Sequence, residues 1–160
     1  MSSDQNKALR EQLVQALHGD QSHLDFDTSM KDLSAELGGV KPEGAPHTIW
    51  QLLEHMRIAQ EDILEFSRNP KHKSPKWPEG YWPNSEAPGS DEAWQKSLDA
   101  FRTDAKAMEE MITDPEQDLF KPIEGGTGQT LLREALVLAA HNSYHLGQLV
   151  YLKKMLGPAK

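Results

Sequence analysis

The sequence predicts an all-α protein, a four-helix bundle with a long Pro- and Trp-rich loop between its second and third long helices. Three observations predict it. Apolar residues recur at steps of three and four in four separate segments, no segment alternates with a period of two, and turn formers cluster between the segments. With 160 residues, 37% of them apolar, the chain is long enough for one domain, residues 1–160, with a hydrophobic core.

The first helix is expected from about Asp4 to His18, with Leu9, Leu13 and Leu17 on one face and Gly19 as its stop. A short helical piece from about Thr28 to Leu37 follows, ended by Gly38 and Gly39. The second long helix starts near His47, capped by His47 or Thr48. It turns Ile49, Leu52, Leu53, Met56, Ala59, Ile63 and Phe66 inward and ends near Asn69. From Pro70 to Gly89 the chain carries five prolines and two glycines together with Trp77, Tyr81 and Trp82. A loop of that length inside a compact chain is functional or disordered, and its aromatics argue that it packs. It is also long enough to carry the chain along the bundle, so that the helices it joins run parallel. The third helix, capped by Ser90 or Asp91, runs to about Met111 on a stripe of Trp94, Leu98, Phe101, Ala105, Met108 and Ile112. The last, from about Thr130 to Leu156, is apolar almost all round between Leu131 and Ala140, which places it at the centre of the bundle. Gly157-Pro158 ends it.

Charge and composition exclude several function classes. The formal net charge is -8, and a surface of that sign repels phosphate backbones and anionic lipid, so neither nucleic acid nor a membrane is an expected partner. The one locally basic stretch, Lys71 to Lys76, reads as solvated loop. No apolar run reaches the length of a membrane span. The N-terminal stretch is polar and lacks the core of a signal peptide, so a cytoplasmic protein is expected. There is no cysteine, which removes disulfides, thiolate ligands and a cysteine nucleophile. A metal would have to sit on nitrogen and oxygen, and any thiol would have to come from outside.

Three of the seven histidines carry the functional reading. His141 and His145 lie four apart in HNSYHLGQ, about 400° of helical rotation and roughly 6 Å of rise, so both rings leave one face one turn apart. That spacing offers two imidazoles to one divalent ion. The face is shared with Leu138, Leu149, Leu152 and Leu156, an interior stripe on which unpaired imidazoles are costly. A shared metal resolves that cost; so do separate hydrogen bonds to carbonyls or carboxylates across the bundle. His55, at the edge of the apolar stripe of the second long helix, is placed to reach a site between helices. Three imidazoles leave coordination incomplete, as a catalytic metal requires.

The segments HTIWQLLEHMRIAQ and AAHNSYHLGQLVYLKKMLG, with the Trp- and Pro-rich loop between them, resemble the DinB/YfiT-like superfamily of bacterial metal-binding four-helix bundles. The resemblance extends over nearly the whole chain in helix order and loop placement. It implies one divalent ion, nickel or zinc first and manganese or iron next, held by His55, His141 and His145 and completed by water. It further implies an up-down-down-up helix order, a homodimer, and for some members transfer reactions that use a low-molecular-weight thiol.

The expected function is therefore a metal-dependent enzyme acting on a small molecule, a thiol-dependent S-transferase or else a hydrolase. A non-catalytic stress-related binding module is the alternative. Gln148, one turn beyond His145, is the candidate for orienting a substrate, and Tyr144 is expected to pack rather than react. Trp77, Tyr81 and Trp82 either wall an apolar pocket or anchor the loop. No general base stands out: Glu54 should point away from His55, His47 lies two turns upstream, and His23 and Asp25 read as loop or capping residues. Metal binding should weaken as pH falls through about 6, where free imidazole takes up its proton.

Overall fold

The computed structural model describes residues 2–157. It is all-helical: α1 (Ser3–His18), α2 (Phe26–Met30), α3 (Ala35–Gly38), α4 (Ile49–Arg68), α5 (Asp91–Thr113) and α6 (Leu131–Leu156), with a single 3-10 turn at Glu79–Tyr81. Among the described residues there is no strand, only an isolated bridge between Pro122 and Thr130. Pro158, expected to help stop the last helix, lies outside the described residues; Gly157 makes the cap with φ 78°.

Local chemistry explains where the long helices begin. Each has a hydroxyl side chain at its N-cap accepting a backbone N–H of the first turn: Ser2 for α1, Thr48 for α4, Ser90 for α5 and Thr130 for α6. At Ser2 and Thr48 the glutamine three residues on reaches back to the cap N–H, completing a capping box. The single helical piece expected over Thr28–Leu37 is two helices instead. Lys31 leaves the helical region with ψ 140°, ending the helix after Met30, and Asp32 completes the turn in a left-handed conformation, φ 62°, which a short polar side chain tolerates. Gly38, which closes α3, lies against Trp94, where an added Cβ would sit 2.5 Å from the indole.

The four long helices pack through two apolar clusters. One gathers Ile49, Leu52 and Leu53 of α4 with Trp94, Leu98, Leu149 and Leu152. The other joins Leu13, Leu64, Met108, Ile112 and Leu138 at the opposite end. Between them Met56, Phe101 and Leu146 form a third, smaller cluster. On α4 the buried face includes Leu64, whereas Ile63 and Phe66, expected inside, are only half-buried. Contacts rise together in number along α4 and α5, from Glu54–Ser97 to Gln60–Phe101. Along α4 and α6 they run oppositely, because Leu52 faces Leu152 while Leu64 and Leu138 share the far cluster.

Two corrections concern faces. The last helix is not enclosed on every side: its neighbours α1 and α4 cover one half, and Leu136, Ala140, Tyr144 and Tyr151 face solvent. Arg10, polar in sequence and unremarked by the apolar periodicity, is only 7% exposed. Its guanidinium donates to the carbonyls of Ile112, Asp114 and Gln117 at 2.6, 2.9 and 2.6 Å, tying α1 to the end of α5. Replacing it by methionine keeps the stem and strands those carbonyls. Since hydrogen bonds to a charged donor contribute about 1.5–3 kcal/mol and are not additive, Arg10→Met should cost about 3 kcal/mol. At roughly 2–4 °C per kcal/mol for a chain of this size, thermal melting should drop by about 6–12 °C. A drop under about 2 °C would mean that water replaces the guanidinium without loss.

Candidate metal centre

α4 and α6 cross so that the three histidines expected at the site come together. The Nε2 atoms of His55 and His145 are 3.1 Å apart, and those of His141 and His55 are also 3.1 Å apart. His55 is 4% exposed and His145 is 8% exposed, so His55 is an interior residue and not a half-exposed one at the stripe's edge. Ligand atoms of all three lie within 4.8 Å of one another, and the cluster could hold a metal ion.

The outward-facing ring nitrogens decide what the inner ones can do. His55 Nδ1 is 2.8 Å from the Tyr81 carbonyl, which only accepts, so Nδ1 carries the proton and Nε2 a lone pair. His145 Nδ1 donates in the same way to Gln148 Oε1 at 2.7 Å. The 3.1 Å contact between these two Nε2 atoms therefore brings two lone pairs together, an arrangement that a cation between them relieves. The spacing fits. Imidazole nitrogens at about 2.0–2.1 Å from an ion stand roughly 2.9 Å apart at right angles and roughly 3.4 Å apart in a tetrahedron.

Electrostatics keeps the rings neutral and ready to ligate. Burial is the largest influence on each, and it pushes all three below the ordinary imidazole range. His141 falls furthest, to about 4, because His145 and His55 add like-charge repulsion to the burial. The Tyr81 carbonyl and Gln148 oppose the drop at His55 and His145 respectively.

The long loop builds one side of the site. Trp82 stacks on His55 with centroids 4.0 Å apart and planes at 4°, and it also stacks on His47 at 4.3 Å. Tyr81 presents its carbonyl to His55, while its hydroxyl donates to Asp62 at 2.6 Å. Asp62 also takes His72 at 2.7 Å, so the carboxylate clamps the loop onto α4 at two points. Burial, followed by that carboxylate, raises the Tyr81 phenol to about 12. Trp77, by contrast, is exposed and only leans on Tyr81. The farther end of the loop is pinned by Thr48 to the Glu86 carbonyl and by the Trp50 indole to Ser85.

Beside the histidines lies a cavity of about 480 Å³ lined by Pro46, His47, Leu52, Tyr144, Gly147, Gln148, Tyr151 and Leu152. It adjoins the cluster through Gln148, through Tyr144, whose ring stands edge-on to His145, and through His47. Tyr144, expected to be packed, is 65% exposed and forms an outer wall. His47 lies across Trp82 from the site, the indole stacking on both His47 and His55. The remaining candidates are committed elsewhere. Asp25 caps α2, His23 bonds Ser143, and Glu54, expected to point away from His55, binds Arg57 and Ser97.

The match to a family model decides the relationship. The model of the DinB superfamily matches residues 18–149, a span that includes all three histidines, Gln148 and the Trp-rich loop. The chain belongs to the DinB superfamily. No significant match to a curated protein or to a solved structure was found. Within this DinB-superfamily chain the sequence signals missed the residues that hold the site in place. Asp62 sits mid-helix directly after Gln60 and Glu61, so nothing local in the sequence marks it as buried. Gln60 and Asn142, fully buried polar residues in the same region, were hidden for the same reason. No helix among the described residues is long and apolar enough to cross a membrane.

Proposed function

We propose that the protein is a metal-dependent enzyme in which His55, His141 and His145 hold one divalent ion beside the 480 Å³ cavity. The observation that carries this reading is the set of convergent Nε2 atoms, two of them with their Nδ1 protons already assigned to carbonyl-type oxygens. An all-imidazole set suits nickel or zinc best, with manganese or iron as further possibilities. When bound, the ion supplies Lewis acidity and lowers the pKa of a thiol or water that it takes up.

The leading reaction is thiol-dependent S-transfer in a cytoplasmic setting, with the thiol supplied by a low-molecular-weight cosubstrate because the chain has no cysteine. The cavity has no charged lining residue, and Leu52, Leu152, Tyr144 and Tyr151 favour an uncharged, largely apolar electrophile. Gln148 gives its oxygen to His145, which leaves its NH₂ to orient a substrate carbonyl. Burial, then Lys41, holds His47 below its usual pKa, so it is neutral at pH 7 and able to accept the thiol proton. Metal-dependent hydrolysis is the second reading, with His47 acting on water. It is less favoured because Glu54 and Asp62, carboxylates of α4 on either side of His55 in sequence, are engaged by Arg57 and Ser97 and by His72 and Tyr81. The register of α4, α5 and α6 supports an up-down-down-up four-helix bundle. The solvent-facing side of α6 at Val137, Tyr144 and Tyr151 is the surface we assign to the homodimer expected of the family.

The test is a screen of metal-loaded protein against uncharged electrophiles with and without added thiol. Any turnover should depend on both thiol and metal, and His47→Gln should lower kcat by about 100-fold with metal content unchanged. Turnover without thiol would favour hydrolysis, and full kcat in His47→Gln would remove the base. No turnover with any member, despite a filled site, would leave a binding module.

A further inference from the structure

We propose that Asn142 is a positioning residue for His141: its Oδ1, oriented by Gln60, accepts the Nδ1–H of His141 through one bridging water and so leaves the Nε2 lone pair free for an ion. The inference rests on the metal-centre reading for its purpose, but it concerns the chain's own hydrogen bonds.

Gln60 is wholly buried and Asn142 is 4% exposed, so both amides must find partners inside the protein. Which way an amide faces is normally ambiguous, but here a backbone group settles it. The Phe101 carbonyl can only accept, and Gln60 Nε2 donates to it at 2.6 Å. Gln60 Oε1 is thereby turned toward Asn142, whose Nδ2 donates to it at 3.1 Å. Asn142 is left with its oxygen free. Two buried side-chain atoms on successive residues then lack partners, Asn142 Oδ1 and His141 Nδ1. The first is an acceptor, and the second must be a donor if Nε2 is to ligate. Tyr81 for His55 and Gln148 for His145 supply one carbonyl-type oxygen per ring, a pattern that the unpartnered Asn142 Oδ1 completes at His141 under this proposal.

The experiment is long-range ¹H–¹⁵N NMR of the imidazoles in metal-free protein at about pH 7.5, where free histidine is neutral, followed by titration with zinc. In the parent, His141 should be the Nδ1–H tautomer. In Asn142→Leu that ring should become a tautomer mixture, while His55 and His145 keep theirs. The zinc Kd should rise by roughly 10–100-fold. Asn142→Asp retains an acceptor and should restore the tautomer. Should Asn142→Leu not fold, Gln60→Met breaks the same chain one link earlier and must also mix the tautomers. An Nε2–H tautomer in the parent, or an unchanged tautomer and Kd in the variant, overturns the proposal. A parent that takes up no zinc but shows the expected tautomers overturns the metal-centre reading alone.

Discussion

Adding nickel or zinc to the metal-free protein is expected to raise its melting temperature by roughly 8–16 °C at about a thousand times the dissociation constant, and His141→Ala is expected to abolish that rise. Binding to the native state alone contributes about 4 kcal/mol at that excess, and each kcal/mol moves a chain of this size by roughly 2–4 °C. His141 matters as much as its neighbours because its Nε2 stands 3.1 Å from that of His55, inside the same ring of donors. Two imidazoles alone hold an ion far more weakly, so at the same metal concentration the variant should melt where the metal-free protein does. Elemental analysis should show one ion per chain in the parent and almost none in the variant. An equal thermal shift in both proteins, or none in the parent, would contradict a three-histidine centre.

The second large effect is on pH. The sequence alone suggests that metal is lost as pH falls through about 6, the range of a free imidazole. Burial of the rings moves that window downward, most of all for His141 at about 4. Protons then compete with the ion only at lower pH, so dialysed protein should keep its metal at about pH 5.5 and lose it steeply toward pH 4. The metal-free fold follows the same groups. Its depressed histidines bind fewer protons than the unfolded chain between about 6.5 and 4, so stability rises with pH across that window. It is complete above 6.5 and lost as pH falls through the folded values. For His141 the loss is on the order of 3 kcal/mol. Denaturant midpoints at several pH values, beside metal content after dialysis, check both statements. Half of the metal gone by pH 6, or a metal-free fold indifferent to pH between 6.5 and 4, would mean that the rings are not held in the buried, crowded state described.

The helices were legible because their signals are local. Leu52, Met56 and Ala59 on α4, and Trp94, Leu98 and Phe101 on α5, recur at helical spacing, and Ser2, Thr48, Ser90 and Thr130 are capping residues by side-chain chemistry alone. The pair His141 and His145 was legible for the same reason, since four residues bring two rings to one face. What a single helix cannot reveal is its partner. That His55 lies inside, that Trp82 covers it, and that His47 returns to the same indole all depend on how the loop folds back, with contacts about 30 residues apart in the chain. Buried polar groups were the other blind spot. Arg10, Gln60, Asp62 and Asn142 interrupt no apolar pattern strongly enough to be noticed, yet each bonds a group on another turn or element of the fold. The outer side of α6 misled in the opposite sense, because apolar composition at Leu136 and Val137 reads as burial although no helix covers them.

The face-to-face contact of Trp82 with His55 gives the protein a built-in optical reporter. An indole at van der Waals distance from a candidate ligand ring responds to whatever that ring holds. A paramagnetic ion such as nickel quenches its emission, whereas closed-shell zinc mainly shifts the spectrum. Trp50 and Trp94, buried together in the adjoining apolar cluster, and Trp77, exposed at the loop surface, stack on none of the three histidines and supply the background against which the change is read. Occupancy and the kind of ion can therefore be followed in unlabelled protein, in real time, before any substrate has been found.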